Sequence, residues 1–190
     1  YFLSRLSKGI GLYICLTGHV LNATEIFSLG LATHYQTSNK VSSIQKEYIN
    51  NGNLPNSKYI PSEFSEILEH QAFIQNTFNG DLLSIIEKLN TSNFSFAKKT
   101  YNHLLTRCPM SLAVTTELLK RAKHLSLKDC LKMEYQLSQH IVYRDDFNEG
   151  VNNVLVNKTH NPMWNPPTIN DIDFKEVEIL FDPHLEPLNL

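Results

Sequence analysis

The spacing of apolar residues along the chain predicts a protein built mainly from α-helices. Leu82, Leu83, Ile86 and Leu89 recur at the intervals of a single helical face. Two further groups show the same spacing, namely Ala97, Tyr101, Leu104 and Leu105, and then Leu112, Val114, Leu118 and Leu119 after Pro109. Alternation typical of a strand is brief, and we expect at most a short strand near residues 31–36.

Glycine and capping residues predict where the first helices begin and end. A short apolar helix is expected to stop at Gly18, and Asn22 is expected to cap a second helix that Gly30 terminates. Further helices are expected over residues 39–50 and 63–78.

Two pairs of residues farther along have the spacing of a capping box, in which two side chains satisfy free backbone N–H groups at a helix start. Ser126 precedes Asp129, and Asp146 precedes Glu149. The first pair predicts the start of a long helix, and the second predicts a new helix after a bend near residues 144–145.

Turn-forming residues divide the chain into four segments. Residues 51–62 are rich in Asn, Gly and Pro and predict a loop. Residues 1–50 precede this loop, residues 63–166 form a helical domain, and residues 167–190 form a Pro-rich tail that wraps over a surface.

Composition excludes several classes of function. The 190 residues are 42% hydrophobic, which is enough for one core, and the net charge is only −2 with basic and acidic residues intermixed. No stripe of Lys and Arg could follow a phosphate backbone, which argues against nucleic acid as a partner. The most apolar window, residues 10–21, is too short to span a bilayer, so we expect no membrane segment.

The cysteine, histidine and serine residues lack the spacings typical of disulfides, metal sites and catalytic nucleophiles. Cys15, Cys108 and Cys130 are odd in number and far apart, which argues against disulfides and structural zinc and favours a reducing compartment. The eight histidines include no pair four residues apart, so we expect no metal site. No serine lies in a nucleophile-elbow motif.

Glu134 is the most distinctive carboxylate, because it falls within an apolar helical stripe and is therefore expected to be buried. It could act as an acid or base with a raised pKa, or pair structurally with a neighbouring helix. The structural interpretation is preferred, because no second catalytic group lies nearby in sequence. The stripe consists of Leu127, Cys130, Leu131, Leu137 and Ile141.

Lys158 follows the last predicted long helix and precedes Trp164. Together with His160 it could hold an anionic group beside an aromatic ring. A lysine in the last turn of a helix is also favoured by the helix dipole alone, and from the residues alone this second interpretation is preferred.

Several of these stretches resemble the crotonase (enoyl-CoA hydratase/isomerase) superfamily in order and spacing. The similar stretches are Leu16-Thr17-Gly18, Gly30-Leu31-Ala32, Cys108-Pro109-Met110-Ser111-Leu112, Leu125-Ser126-Leu127, Met133-Glu134-Tyr135 and Asp146 to Val151. The resemblance covers about residues 1–166. Within the superfamily, the 3-hydroxyisobutyryl-CoA hydrolase branch is the most similar; it shares the stretches Tyr1 to Leu6, Ala32 to His34, Ser95 to Ala97, and Lys158 to Trp164.

The resemblance implies the carboxy-terminal helical part of a crotonase-type α/β fold, with residues 1–50 as the last part of its core. It places the oxyanion hole and the catalytic Glu and Asp upstream of Tyr1, so no catalytic residue is expected in this chain. The chain alone is expected to be inactive. It also favours Lys158 as a contact for the phosphates of coenzyme A, which is part of the substrate, so no separate cofactor is expected.

The resemblance implies that the full-length protein is an acyl-CoA thioester hydrolase of valine catabolism. The alternatives are a hydratase or isomerase of the same superfamily and a non-catalytic interaction module such as a mitochondrial ribosome component. Expected partners are the acyl-CoA substrate, the missing amino-terminal half and a second copy in a homo-oligomer. Exposed apolar surface around residues 1–16 is expected to drive self-association. The expected location is the bacterial cytoplasm or the mitochondrial matrix.

Overall fold

The computed structural model describes residues 1–54, 62–159, 161–183 and 188. All regular elements within these residues are helices, and no strand occurs among them. The mainly helical class predicted from the sequence is confirmed. Residues 31–36 have no regular structure, because a strand requires a neighbour for its backbone hydrogen bonds and the described residues offer none.

The helices belong to two compact units, one formed by residues 19–74 and the other by residues 1–18 and 75–190. In chain order the α-helices are α1 (Ile10–Thr17), α2 (Ala23–Ser28), α3 (Val41–Asn51), α4 (Glu66–Glu69), α5 (Gln71–Thr77), α6 (Leu82–Thr91), α7 (Ser95–Leu105), α8 (Pro109–Ala122), α9 (Leu127–Ile141), α10 (Asp145–Val151) and α11 (Phe174–Ile179). Helices α2 to α4 lie in the smaller unit, and α5 crosses the boundary between the units. The four-segment organisation expected from the sequence stays a prediction.

Helix α1 lies at the centre of the larger unit. It contacts α7 and α8, and Ile10, Tyr13 and Leu16 are buried. Each such side chain contributes about 1.5–3 kcal/mol through removal of apolar surface from water. The helix ends as predicted, because Gly18 adopts φ 66° and its N–H closes the last turn on the carbonyl of Ile14.

The burial of α1 corrects the expectation of exposed apolar surface along residues 1–16. Phe2 is the exception, because it is 68% exposed. Arg5, in a short 3₁₀-helix over Leu3–Arg5, stacks on the ring of Tyr1 at 4.7 Å. Its guanidinium also donates to carbonyl oxygens in the turn between α8 and α9. These contacts hold Tyr1 and Arg5 against the turn between α8 and α9.

An aromatic cluster joins α1 to the helices that follow it. The ring of Tyr13 lies edge-on to Phe78 at 5.2 Å and tilted against Phe96 at 5.9 Å between centroids. Asp81 caps α6, the helix that the spacing of Leu82 to Leu89 predicts. Pro109 is the first residue of α8, the position that tolerates proline.

Ser126 caps α9 as the sequence predicts, because its hydroxyl accepts a hydrogen bond from the N–H of Asp129 at 3.1 Å. Helix α9 ends at Ile141, and α10 begins at Asp145. The predicted bend near residues 144–145 is therefore present.

In the smaller unit, Asn22 caps α2 as predicted and forms a complete capping box with Glu25. The helix expected over residues 39–50 is present as α3. The helix expected over residues 63–78 is interrupted at His70, which separates α4 from α5. Of the predicted loop at residues 51–62, positions 55–61 lie outside the described residues.

The carboxy-terminal segment packs on other helices of the larger unit, to which it belongs. After a cis peptide bond at Asn165-Pro166 and a 3₁₀-helix over Ile169–Asp171, α11 packs on α8. Val177 is buried in this contact region, and the guanidinium of Arg121 lies 4.2 Å from the ring centroid of Phe181. Part of the predicted Pro-rich tail is therefore a helix that packs on α8.

Candidate functional site

Helix α10 continues into a wide turn that presents Lys158. After Val151 the backbone forms a π-helix over Asn152–Val156, closed by the N–H of Asn157 donating to the carbonyl of Asn152 at 2.7 Å. Lys158 follows with φ 54°, and its side chain is exposed. Such π-helical turns occur frequently at functional sites, and a positive φ outside glycine marks a constrained backbone.

Two carboxylates of α10 bind the backbone that returns from this turn. Glu149 Oε1 accepts from the N–H of Met163 at 2.7 Å and from the side-chain amide of Asn153 at 2.9 Å. Asp146 Oδ1 accepts from the N–H of Asn165 at 2.7 Å. The capping box predicted for Asp146 and Glu149 is wrong, because α10 already begins at Asp145 and both side chains bind later backbone.

Trp164, which lies between Met163 and Asn165, packs on the same helix. A Cβ atom at Gly150 would lie 3.4 Å from the ring of Trp164, so the indole covers the glycine closely. The hydroxyl of Thr159 donates to the side-chain oxygen of Asn153. His160, the expected companion of Lys158, lies outside the described residues.

Arg144 connects this site to α11. Its guanidinium lies 3.6 Å from Asp146 Oδ2 and 3.6 Å from a carboxylate oxygen of Glu176. It also donates to the carbonyl of Asn165 at 3.3 Å. One cation therefore holds α10, the returning segment and α11 together.

A cavity of about 280 Å³ lies beside Trp164 and is bordered by Cys108, Met110 and Phe147. Burial raises the pKa of the Cys108 thiol, and burial likewise raises the pKa of Cys15 to about 11. Neither thiol is an activated nucleophile, because activation requires a lowered pKa.

A larger cleft of about 940 Å³ lies in the same unit, between the first residues of the chain, α8 and α11. Among the acidic residues that line it, Glu117 is already paired with Lys120 at 2.9 Å and Arg121 at 2.8 Å. Burial raises the pKa of Glu117, but the hydrogen bonds from these two cations outweigh it and leave the pKa lowered. Glu117 is thus a charged structural partner and not a proton donor at neutral pH.

The smaller unit contains a buried carboxylate that the sequence reasoning missed. Glu25 accepts hydrogen bonds from His19 at 2.9 Å, from the N–H of Asn22 at 3.1 Å, from the hydroxyl of Ser65 at 3.1 Å and from the N–H of Ile67 at 3.3 Å. Burial raises its pKa, but these hydrogen bonds outweigh burial and lower it. The three-residue spacing from Asn22 to Glu25 is a capping-box signal that could have revealed it.

Glu134 is not the buried carboxylate that the sequence predicts, because its side chain is 44% exposed. Only one edge of the apolar stripe on α9 faces the core, where Cys130 and Leu137 are buried, while Leu127 and Leu131 on the other edge are exposed. Glu134 lies toward the exposed edge and contacts the amino terminus of Tyr1 at 3.5 Å.

Side chains that could bind a metal ion do not converge within the described part of the chain. Over residues 1–54, 62–159 and 161–183, no three His, Cys, Asp or Glu side chains converge on a point where an ion could bind. None of the helices in the described ranges combines the length and the apolar character that a bilayer crossing requires.

The helical architecture defines the class of protein: it is part of a crotonase-type fold. It superimposes on a carnitinyl-CoA dehydratase from Mycobacterium thermoresistibile with a TM-score of 0.87 and 29% identity, over 100% of this chain and 56% of that one. The sequence pattern of the family "Enoyl-CoA hydratase/isomerase" matches residues 1–181. The chain belongs to this family, as the resemblance predicted.

Curated relatives extend the comparison. The mitochondrial 3-hydroxyisobutyryl-CoA hydrolase of Dictyostelium discoideum is 35% identical over 96% of this chain and 51% of its own length. The small ribosomal subunit protein mS47 of Arabidopsis thaliana is 29% identical over 98% of this chain and 50% of its own length. The chain spans about half the length of the curated relatives it matches.

Proposed function

We propose that this chain is the carboxy-terminal part of a hydrolase of acyl-CoA thioesters, with 3-hydroxyisobutyryl-CoA as substrate in valine catabolism. The observation that carries the proposal is the 35% identity to a hydrolase of that substrate over almost the whole chain. That relative is named as a mitochondrial protein, which favours the mitochondrial matrix over the bacterial cytoplasm as the location.

The reaction adds water to the thioester carbonyl and breaks the carbon–sulfur bond, which releases the carboxylic acid and the coenzyme A thiol. We infer from the resemblance that the oxyanion hole and the catalytic carboxylates belong to the half of the family fold that this chain does not cover. The thiols of Cys15 and Cys108 have raised pKa values, and the carboxyls of Glu25 and Glu117 have lowered ones, so these four groups suit neither an activated nucleophile nor a proton donor at neutral pH. Their environment supports the proposal that catalysis uses residues outside this chain.

Lys158 is the proposed contribution of this chain to substrate binding. Its exposed ammonium, on a constrained turn beside the apolar residues Val154 to Val156, suits a phosphate of coenzyme A. An ammonium–phosphate contact at the surface lowers KM more than it raises kcat, because it binds ground state and transition state alike.

The test compares the 190-residue chain with a version extended by the upstream half, and it measures release of the coenzyme A thiol from 3-hydroxyisobutyryl-CoA. We expect turnover only by the extended form. Turnover by the short form would contradict the assignment of catalysis to the upstream half. Hydration of an enoyl-CoA without thiol release would favour the hydratase alternative.

In the extended form, Lys158→Ala should raise KM roughly three- to fivefold with little change in kcat, the size expected for one exposed charge pair. Lys98→Ala, which removes an exposed lysine of α7, is the matched control and should leave both constants unchanged. An equal effect of the two substitutions would refute the contact.

A non-catalytic interaction module remains the second candidate, because a ribosomal protein matches 98% of the chain. The near-neutral net charge of −2 does not favour contact with ribosomal RNA. An extended form that binds mitochondrial ribosomes but releases no thiol would favour this candidate.

A further inference from the structure

We infer that Asp146 and Glu149 are positioning residues, whose carboxylates hold residues 163–165 against α10 and thereby fix the turn that carries Lys158. The inference rests on the proposed contact between Lys158 and coenzyme A. It names the groups that prepare this contact before the ligand binds.

The two attachment points lie close together both on the helix and on the returning segment. Asp146 and Glu149 are three residues apart, so they share a face of α10 and differ in height by about 4.5 Å. Met163 and Asn165 are two residues apart, which in an extended segment is about 6.6 Å and directs both N–H groups to the same side. Glu149 binds Met163 and Asp146 binds Asn165, so the segment runs antiparallel to the helix.

Ionised carboxylates suit this task better than neutral acceptors. The N–H groups of Met163 and Asn165 belong to a segment without regular structure, and each needs an acceptor. Hydrogen bonds to a charged acceptor are shorter and stronger than neutral ones, in agreement with the 2.7 Å distances. The side chain of Asp146 is only 7% exposed, so water competes weakly for this bond.

Trp164 lies between the two hydrogen-bonded residues and packs on Gly150. Residues 163–165 are thus attached to α10. In addition, the hydroxyl of Thr159 donates a hydrogen bond to the side-chain oxygen of Asn153. Lys158 lies within the turn that the hydrogen bond between Asn153 and Thr159 closes, and the attached residues begin four positions after Thr159. Preordering this turn removes an entropic cost that ligand binding would otherwise carry.

Hydrogen exchange tests the attachment directly on the 190-residue chain. Glu149→Ala should accelerate exchange of the Met163 amide by at least about tenfold, because the N–H loses a charged acceptor. Glu149→Gln should have a smaller effect, since its amide oxygen can still accept. Glu87→Ala, which removes an exposed carboxylate of α6, should change nothing. Unaltered exchange at Met163 in Glu149→Ala would overturn the attachment.

The link to Lys158 is tested by the affinity of the chain for coenzyme A. Glu149→Ala should weaken binding roughly two- to fivefold, and no more than Lys158→Ala does, since it acts only through the contact of Lys158. The double variant Glu149→Ala/Lys158→Ala should bind no worse than Lys158→Ala alone, because a positioning residue acts through the group it positions. Fully additive losses would overturn the positioning role. Equal affinity of the wild-type chain and Lys158→Ala would refute the coenzyme A contact itself, whatever the exchange result.

Discussion

At the scale of single residues, Glu25 is the most strongly constrained side chain of the smaller unit. It is almost fully buried and accepts four hydrogen bonds, two of them from Ser65 and Ile67, which lie about forty residues farther along the chain. A carboxylate in this position joins the start of α2 to the start of α4. Its loss would leave several buried donors without an acceptor.

Glu25→Ala should therefore lower the free energy of unfolding by about 3 kcal/mol, the cost of orphaned buried donors. Thermal or urea unfolding measures the change. Glu47→Ala, on an exposed position of α3, is the control and should stay within about 0.5 kcal/mol of wild type. A loss of similar size in both variants would contradict the role of Glu25.

The lowered pKa of Glu25 also predicts a pH dependence. Because the folded pKa lies below the ordinary value of 4.5, the stabilisation is complete above that value and is lost as the pH falls through the folded pKa. Glu25→Gln should show a flatter stability curve below about pH 4.5 than wild type. Parallel curves for the two proteins would count against this shift.

Local spacing explains which residues the sequence could identify. Asn22 and Ser126 are predictable as caps because each directly precedes a helix and the N–H group it binds lies only three residues away. The partner of Asp146 is the N–H of Asn165, nineteen residues later, and helical periodicity carries no information about it. Glu134 was misplaced because periodicity locates an apolar stripe but not the edge of the stripe that meets the core.

At the scale of elements, the contact between the first 3₁₀-helix and α1 depends on a missing side chain. A Cβ atom at Gly11 would lie 1.8 Å from the carbonyl oxygen of Leu3. The two helices can approach this closely only at glycine.

Gly11→Ala should therefore destabilise the chain by about 3 kcal/mol or more, because the clash with backbone exceeds the gain of about 1 kcal/mol in helix propensity. Gly52→Ala provides the contrast. Its Cβ would meet nothing within 4 Å, and its φ of 70° costs only about 1 kcal/mol. Equal unfolding midpoints for the two variants would contradict the close approach.

At the scale of the whole molecule, family membership was predictable because short motifs kept their order over most of the chain. The helical class followed from periodicity, whereas the arrangement of two units did not. Long-range contacts such as those of Arg144 with Asn165 and Glu176 decide how the helices assemble. No local pattern encodes them.

The rate at which the three cysteine thiols react measures global unfolding of the chain. Cys108 and Cys130 are buried, and the pKa values of Cys15 and Cys108 are raised. A disulfide reagent at pH 8 should label the native chain slowly and the unfolded chain rapidly, because the thiolate is the reactive form. Fast labelling of Cys108 in native buffer would contradict its burial.

The left-handed backbone at Lys158 has a consequence for the choice of amino acid there. Glycine would adopt φ 54° without the penalty of roughly 1 kcal/mol or more that a side chain carries. Folding alone would therefore favour the smallest residue at this point, and a long cationic side chain is tolerated against that preference. Ease of folding favours glycine at this position, whereas exposure of a positive charge requires a long basic side chain.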